Sequence, residues 1–452
     1  MPEGFPSSLS QRAVAVLDHN RRGDWTCPAN GMYAHQWLWD SCFVAIGLAG
    51  QAPQRAADEL RALLRGQWAN GMVPHIVFAD GAGDIGSRRM WRSKRNPLAP
   101  RDVETSCITQ PPLIAVAAWR VAQAMLGDER RAFLAEVYPK ILRHHEWLYR
   151  DRDLRQTGLV TLMHPWECGL DTTPPWMEEL SRAPGPWWLR LALLMRLAKV
   201  VRFVRTDTRF APATQRPSDD DGLRMLVLAR HAARHHFDLR RMPARGSVLI
   251  EDLAFNALLV VANRCLVRIA GDLDQTIDSG LESSMRRTET ALDELWDEPT
   301  GQYYSRNANT GALIKSPTIA TFLPLWAGVP SRARAEQLVA LLRDPGFWPE
   351  HPVPSVPTGA PDFEADRYWK GPTWINMNWA VIQGLALYDE VELAEDLRQR
   401  TLQLIGTSGF SEYFSALTGC GFGAHEFSWT AALALDLMIR PPDSNADAPA
   451  PS

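Results

Sequence analysis

The feature that most constrains this chain is a recurring alternation. A stretch with apolar residues at i, i+3 and i+4 spacing gives way to a Pro/Gly/Trp-rich loop, and then to another such stretch. The pattern marks 111–126, 187–204, 251–270, 281–296, 331–344, 374–389 and 427–439 as helices. The first of these starts on Pro111 and Pro112, residues suited to a helix entry. Strand-like alternation is confined to VTLMHPW (160–166) and GQYYSRNA (301–308). No motif repeats, and no low-complexity linker divides the interior. Although 452 residues would allow two or three domains, the reading is one all-α domain over 1–440, built of helical hairpins around a common core. The Pro/Ala/Asp-rich tail 441–452 is expected to be disordered.

The totals exclude several classes. A net charge of −4 gives no global attraction to nucleic acid or an anionic membrane. Six cysteines at 27, 42, 107, 168, 265 and 420 form no CxxC pair, so neither a zinc site nor a disulfide framework is expected. His231, His235 and His236 have ligand-like spacing, but no carboxylate motif completes them, and no metal or cofactor is expected. No apolar run reads as a membrane span, and the N-terminus lacks a basic segment followed by an apolar one. The expectation is a soluble cytoplasmic protein; a homo-oligomer is left open.

Tryptophan is the compositional outlier, with 18 Trp against 8 Tyr. Flat apolar rings suit the C–H faces of sugars, and neighbouring acids and amides suit the hydroxyls. Four stretches combine them: YAHQWLWDSCF (33–43), HPWECGLDTTPPW (164–176), DRYWKGPTWINMNW (366–379) and FSEYFSALTGCGFGAHEFSWTAAL (410–433). Each carries an acid in or before the loop that leads into a helix. In a barrel of helical hairpins such loops gather at one end. Two carboxylates in an aromatic pocket are what glycoside hydrolysis requires: one kept protonated by burial, one ionised. Taken singly, Asp171 and Asp40 also read as turn or capping acids, Glu412 as a salt-bridged core acid, and Glu167 as a rival acid. Residue types alone do not choose between inversion and retention. Two long loops, 71–105 and 205–222, read as lids over such a pocket.

The four stretches, with NGMVPHIVF (70–78) and QRPS (215–218), occur in the order found in glycoside hydrolase family 63 and resemble its short bacterial branch of mannosylglycerate and glucosylglycerate hydrolases. The resemblance implies an (α/α)6 barrel and an inverting mechanism, with Asp171 as general acid and Glu412 as general base. It implies a sugar pocket of Tyr33, Trp37, Trp39, Asp40, Gln110, Trp166, Gly169, Tyr368 and Trp369. It places His75, Arg216 and Glu426 toward the leaving group. Two positions depart from the family pattern. Gly222 follows the Asp219–Asp221 run where a tyrosine is usual, and Glu426 stands where a glutamine is usual. These leave the aglycone open between glycerate, a neutral group such as glycerol or another sugar, and a cationic one. The substrate expected is a small α-glucoside or α-mannoside. The rivals are an α-glucosidase acting on short disaccharides (trehalase-, kojibiose- or debranching-like) and a sugar-binding relative without catalysis.

Overall fold

The structure, a computed structural model, describes residues 7–81, 85–183, 185–195, 198, 207–243 and 246–441. The tail from 442 onward lies outside the described residues, as do 82–84 and 205–206 of the two long loops and most of 196–206, where the second expected helix would continue.

Six helices carry the core: Leu38–Ala49, Ile114–Gln123, Leu253–Asp272, Leu323–Ala327, Ile375–Leu387 and Ser428–Ile439. Each packs on the next, and the last packs on the first, so they close a ring. They are apolar on nearly every side rather than along one stripe. All twelve residues of Leu38–Ala49 are buried, as are Ser428 through Leu437. A helix surrounded by other helices has no solvent face to keep polar. Close approach is part of the design: a Cβ on Gly47 would lie 2.1 Å from the backbone oxygen of Ala432.

A second set of helices covers the ring. Ser7–His19 packs on Ser428–Ile439, Pro53–Arg65 on Leu38–Ala49, Gly127–Arg152 on Ile114–Gln123, Ser279–Asp293 on Leu253–Asp272, and Val391–Ser408 on Ile375–Leu387. These outer helices have the expected one-sided burial; in Pro53–Arg65 the alanines and leucines face inward and the arginines outward. One helix, Leu253–Asp272, is long and apolar enough to cross a membrane, contrary to the sequence expectation. Its apolarity has another cause: it is buried in the core, and its Asn256 and Asn263 are hydrogen-bonded there.

The fold is helix-rich but not purely α. Two- and three-stranded ladders of two-residue strands pin the loops. Gln36–Trp37 pairs antiparallel with Ile76–Val77, and Tyr413–Phe414 with Gly421–Phe422. The two expected strand regions take part: Thr161–Leu162 joins Ile250–Glu251 and Arg306–Asn307, while Gln302–Tyr303 pairs with Trp296–Asp297. Two loop readings change. The 71–105 segment contains a helix, Ile85–Trp91, and the 205–222 segment ends inside the helix Asp219–Arg234. The Asp219–Asp221 run is the first turn of that helix, where acids complement the N-terminal dipole and Ser218 caps the Asp221 N–H. All six cysteines are free.

Candidate active site

The residues just before or at the N-terminal ends of four ring helices converge on one cavity of about 1730 Å³. Trp37, Trp39 and Asp40 come from the entry to Leu38–Ala49, Gln110 from the entry to Ile114–Gln123, Trp369 from the entry to Ile375–Leu387, and Phe427 and Trp429 from the entry to Ser428–Ile439. The segment Trp166–Asp171 and the strand ahead of the glycine turn, with Glu412, complete it. Asp171 and Glu412, 241 positions apart in sequence (412 − 171), line the same cavity.

The glycine-rich turn after Glu412 has a specific task. Gly423 has φ +72, and a Cβ there would meet Glu412 Oε2 at 2.3 Å. Only glycine lets the hairpin fold back over the carboxylate. The chain then donates the Ala424 N–H to Oε2 at 2.9 Å. Tyr33 donates its hydroxyl to Oε1 at 2.7 Å, and Arg216 Nη1 lies 3.1 and 3.0 Å from the two oxygens. Arg216 also donates Nη2 to the Tyr33 hydroxyl at 2.6 Å and Nε to Asp207 at 3.2 Å. Glu412 is 1 % exposed, so this buried carboxylate is fully partnered, as burial demands.

Asp171 sits differently. Its partner is the Tyr368 hydroxyl, which donates to Oδ2 at 3.2 Å. Burial pushes its carboxyl up to about 7; the nearby Glu412 charge adds to this, and Tyr368 and Arg216 oppose it. Tyr368 itself is held in the left-handed region, φ +40, an outlier that aims its ring between Arg216 and Asp171. Asp40, in the first turn of Leu38–Ala49 rather than capping it, is also driven well up, by burial first and then by Glu412, Glu59 and Asp171. In one cavity, Asp171 and Asp40 thus favour the protonated state while Glu412 is ion-paired.

The walls are aromatic. Trp39 packs edge-on against Trp429, and Trp369 stacks on Trp374 with centroids 3.7 Å apart. Gly169 (φ +79) is needed because a Cβ there would strike the Trp39 ring at 2.7 Å. The indole Nε1 atoms of Trp37 and Trp429 and the Oε1 of Gln110 are buried with no hydrogen-bond partner among the described residues. These atoms are free to hydrogen-bond the hydroxyls of a ligand in the cavity. His75 is buried against Trp37 and Trp91, bonded to Ser106 Oγ, and kept neutral by burial.

Eleven of the twelve residues expected to bind substrate line this cavity. Glu426 does not. Its backbone turns through φ +52, and its carboxylate points to the surface near His19, 3.8 Å away. The rival acid Glu167 is also excluded from the cavity lining. It is fully buried in an ion pair with Arg152, at 2.6 and 3.1 Å, and accepts the Met163 N–H. Among the described residues no cluster of His, Cys, Asp and Glu is arranged to hold a metal, and His231 bonds Ser247 instead. Sequence reasoning did not single out Trp91, Asp207, Phe427 or Trp429 as site residues, yet all four line the cavity.

An aromatic cavity lined by two such carboxylates at the head of a helical ring suits a glycoside hydrolase, and comparison with known proteins shows that class. The family model described as the mannosylglycerate hydrolase MGH1-like glycoside hydrolase domain matches residues 33–430. The chain is similar to mannosylglycerate hydrolase of Thermus thermophilus, 38 % identical over 94 % of this chain and 99 % of that protein. It is also similar to glucosylglycerate hydrolase of Mycolicibacterium hassiacum, 33 % identical over 97 % and 99 % of the two chains. A crystal structure of a GH63 mannosylglycerate hydrolase from Thermus thermophilus, in complex with Tris and D-glycerate, superposes with a TM-score of 0.86 at 37 % identity, covering 96 % of this chain and 100 % of the other. The neutral trehalase Nth1 of Saccharomyces cerevisiae shares the fold at 15 % identity and a TM-score of 0.55. The chain belongs to the MGH1-like glycoside hydrolase family.

Proposed function

We propose that this protein hydrolyses a small α-glycoside of glucose or mannose with inversion, on a single (α/α)6-barrel domain spanning residues 1–440. The closed ring of six helices with its outer layer supports the barrel reading. The observation that carries the chemistry is the contrast between the two acids of one cavity. Asp171, pushed up to about 7, keeps a proton for the leaving oxygen. Glu412, held by Arg216, Tyr33 and a backbone N–H, is placed to act as the base for water.

Glu412 needs a free lone pair to act. Its two oxygens offer about four acceptor positions, and Tyr33, Arg216 and Ala424 fill them. Arg216 is the partner that can leave, because its guanidinium also faces the cavity and forks onto any carboxylate that enters. A carboxylate on the aglycone would draw Arg216 off Glu412 and free the base. This favours a glycerate-type aglycone, as in the substrates named for the relatives, over a neutral disaccharide. Gly222 lines the same cavity, but the Asp219–Asp221 carboxylates do not, so the acid run leaves this anion site intact. Segments 71–105 and 205–222 supply His75, Trp91, Asp207 and Arg216, consistent with loops that close over the substrate. Incubation with glucosylglycerate, mannosylglycerate, glucosylglycerol and short α-linked disaccharides tests the reading. Hydrolysis of a glycosylglycerate is expected, abolished in Asp171→Asn and Glu412→Gln. Turnover retained in either variant would overturn the assignment.

A further inference from the structure

The cavity is larger than a glycosylglycerate requires. Pockets that enclose one small ligand run to roughly 300–1,000 Å³, whereas this one measures about 1730 Å³. Its lining includes a group of arginines. Arg89, Arg92 and Arg95 come from the helix Ile85–Trp91 and the turn after it, Arg209 from the turn Asp207–Arg209, and Arg230 and Arg234 from the last turns of Asp219–Arg234. All six are exposed, and all six line the cavity. Other rim arginines are neutralised locally: Arg150 and Arg240 pair with Asp151, and Arg241 pairs with Asp238. These six have no carboxylate partner among the described residues. Their concentration contrasts with a chain whose net charge is −4.

An apolar bridge joins the rim to the sugar end. Trp91 packs on Trp166 with centroids 6.0 Å apart, and on Phe237 at 5.3 Å. Arg92 follows Trp91 in the chain, and Arg234 stands one turn before Phe237. Like charges gathered around one mouth repel each other within a Debye length of roughly 8–10 Å. An oxyanion relieves that repulsion. Arginine, with its planar fork of donors, matches phosphate or carboxylate oxygens better than a lysine would.

We propose that this arginine rim is a second anion subsite, separate from Arg216, and that it receives a phosphate ester or further carboxylate on the aglycone of a substrate larger than a simple glycosylglycerate. That the ligand is a substrate rests on the glycosidase reading above; the binding site does not.

The test is isothermal titration of the intact protein with inorganic pyrophosphate and, separately, with citrate. The comparison is between wild type and the triple variant Arg92→Gln/Arg95→Gln/Arg234→Gln, with a thermal melt to verify folding. Wild type is expected to bind, with affinity falling steeply as salt rises, and the triple variant at least tenfold more weakly. Tighter binding of pyrophosphate assigns the site to phosphate, and tighter binding of citrate to carboxylate. A second measurement compares kcat/KM for a glycosylglycerate with and without a phosphate on the glycerate. A preference for the phosphorylated form of about tenfold or more is expected in wild type and lost in the triple variant. Equal pyrophosphate and citrate affinities in the two proteins, or no binding of either to wild type, would overturn the subsite. If no glycoside is hydrolysed while the anions still bind, the glycosidase reading fails and the subsite stands.

Discussion

Replacing the acid Asp171 with Asn should make the protein more stable, and by an amount that grows with pH. In the folded state burial lifts the Asp171 carboxyl from its ordinary 3.8 to about 7. The native state therefore holds a proton that the unfolded chain has already released, and stability falls as pH rises toward 7. Below 3.8 both states are protonated and nothing is lost. Above 7 both are ionised, and the full difference, about 4 kcal/mol, weighs against the native state. At pH 5 the same relation gives about 2 kcal/mol. Both figures are upper bounds, because Asp171 is only half-buried and keeps contact with the cavity solvent. Asparagine never ionises, so Asp171→Asn removes this destabilisation while costing a constant amount in altered hydrogen bonding with Tyr368. The assay is guanidinium unfolding of wild type and variant at pH 5 and pH 8. The variant should gain about 1–2 kcal/mol more, relative to wild type, at pH 8 than at pH 5. An equal difference at the two pH values would mean that Asp171 is ionised in the native state throughout, and the general-acid assignment would lose its physical basis.

Three further outcomes follow from the contacts. Gly423→Ala forces a Cβ against Glu412 Oε2 and a side chain into φ +72; it should lower kcat at least a hundredfold while costing about 1–2 kcal/mol of stability, measured by steady-state kinetics and a denaturant melt. Arg216→Gln should cut kcat/KM for a glycosylglycerate sharply but spare a glycosyl fluoride, and in wild type added D-glycerate should accelerate fluoride hydrolysis by drawing Arg216 off Glu412; simple competitive inhibition by glycerate would contradict the release step. Glu167→Gln leaves Arg152 buried without its ion partner and should destabilise by about 3–5 kcal/mol in a thermal or denaturant unfolding assay, a loss in folding rather than in chemistry.

Much of this site could be read in the chain because the motifs fall where loops meet ring helices. Aromatic and polar residues at four helix entries, with the segments bearing Asp171 and Glu412, became one cavity wall once the helices closed into a ring. The ring helices themselves were partly obscured. Leu38–Ala49 is buried on all sides, so it shows no polar face for a period of 3.6 to reveal. Among the outer helices, Gly127–Arg152 carries Pro139 in its interior, which reads as a break although the helix continues through it. Side-chain direction was the least legible property. Glu426 lies in the same stretch as Glu412, but a left-handed turn sends it to the surface. Glu167 adjoins Trp166 in the motif, but its partner Arg152 lies fifteen residues back, and local pattern gives no sign of that pair. The bond between Arg216 and Glu412 spans 196 positions and follows from the closed fold alone.

On the proposed reading the cavity divides into groups that would bind a sugar and groups that would hydrolyse it. The tryptophans, Gln110 and Asp40 offer faces and hydrogen bonds to any pyranose. Under the proposed inverting route one acid must hold a proton and the other must activate water, and the surroundings of Asp171 and Glu412 differ. One is pressed by burial with a single tyrosine partner, and the other is wrapped in cationic and N–H donors.

The most direct test of that division is the configuration of the first sugar released. Proton NMR, recorded within the first minutes of hydrolysis of an α-linked glycosylglycerate, reads the anomeric signal before mutarotation. The β-anomer should appear first and the α-anomer only later. Initial release of the α-anomer would mean a covalent, retaining route, and Glu412 could not then be the base that activates water.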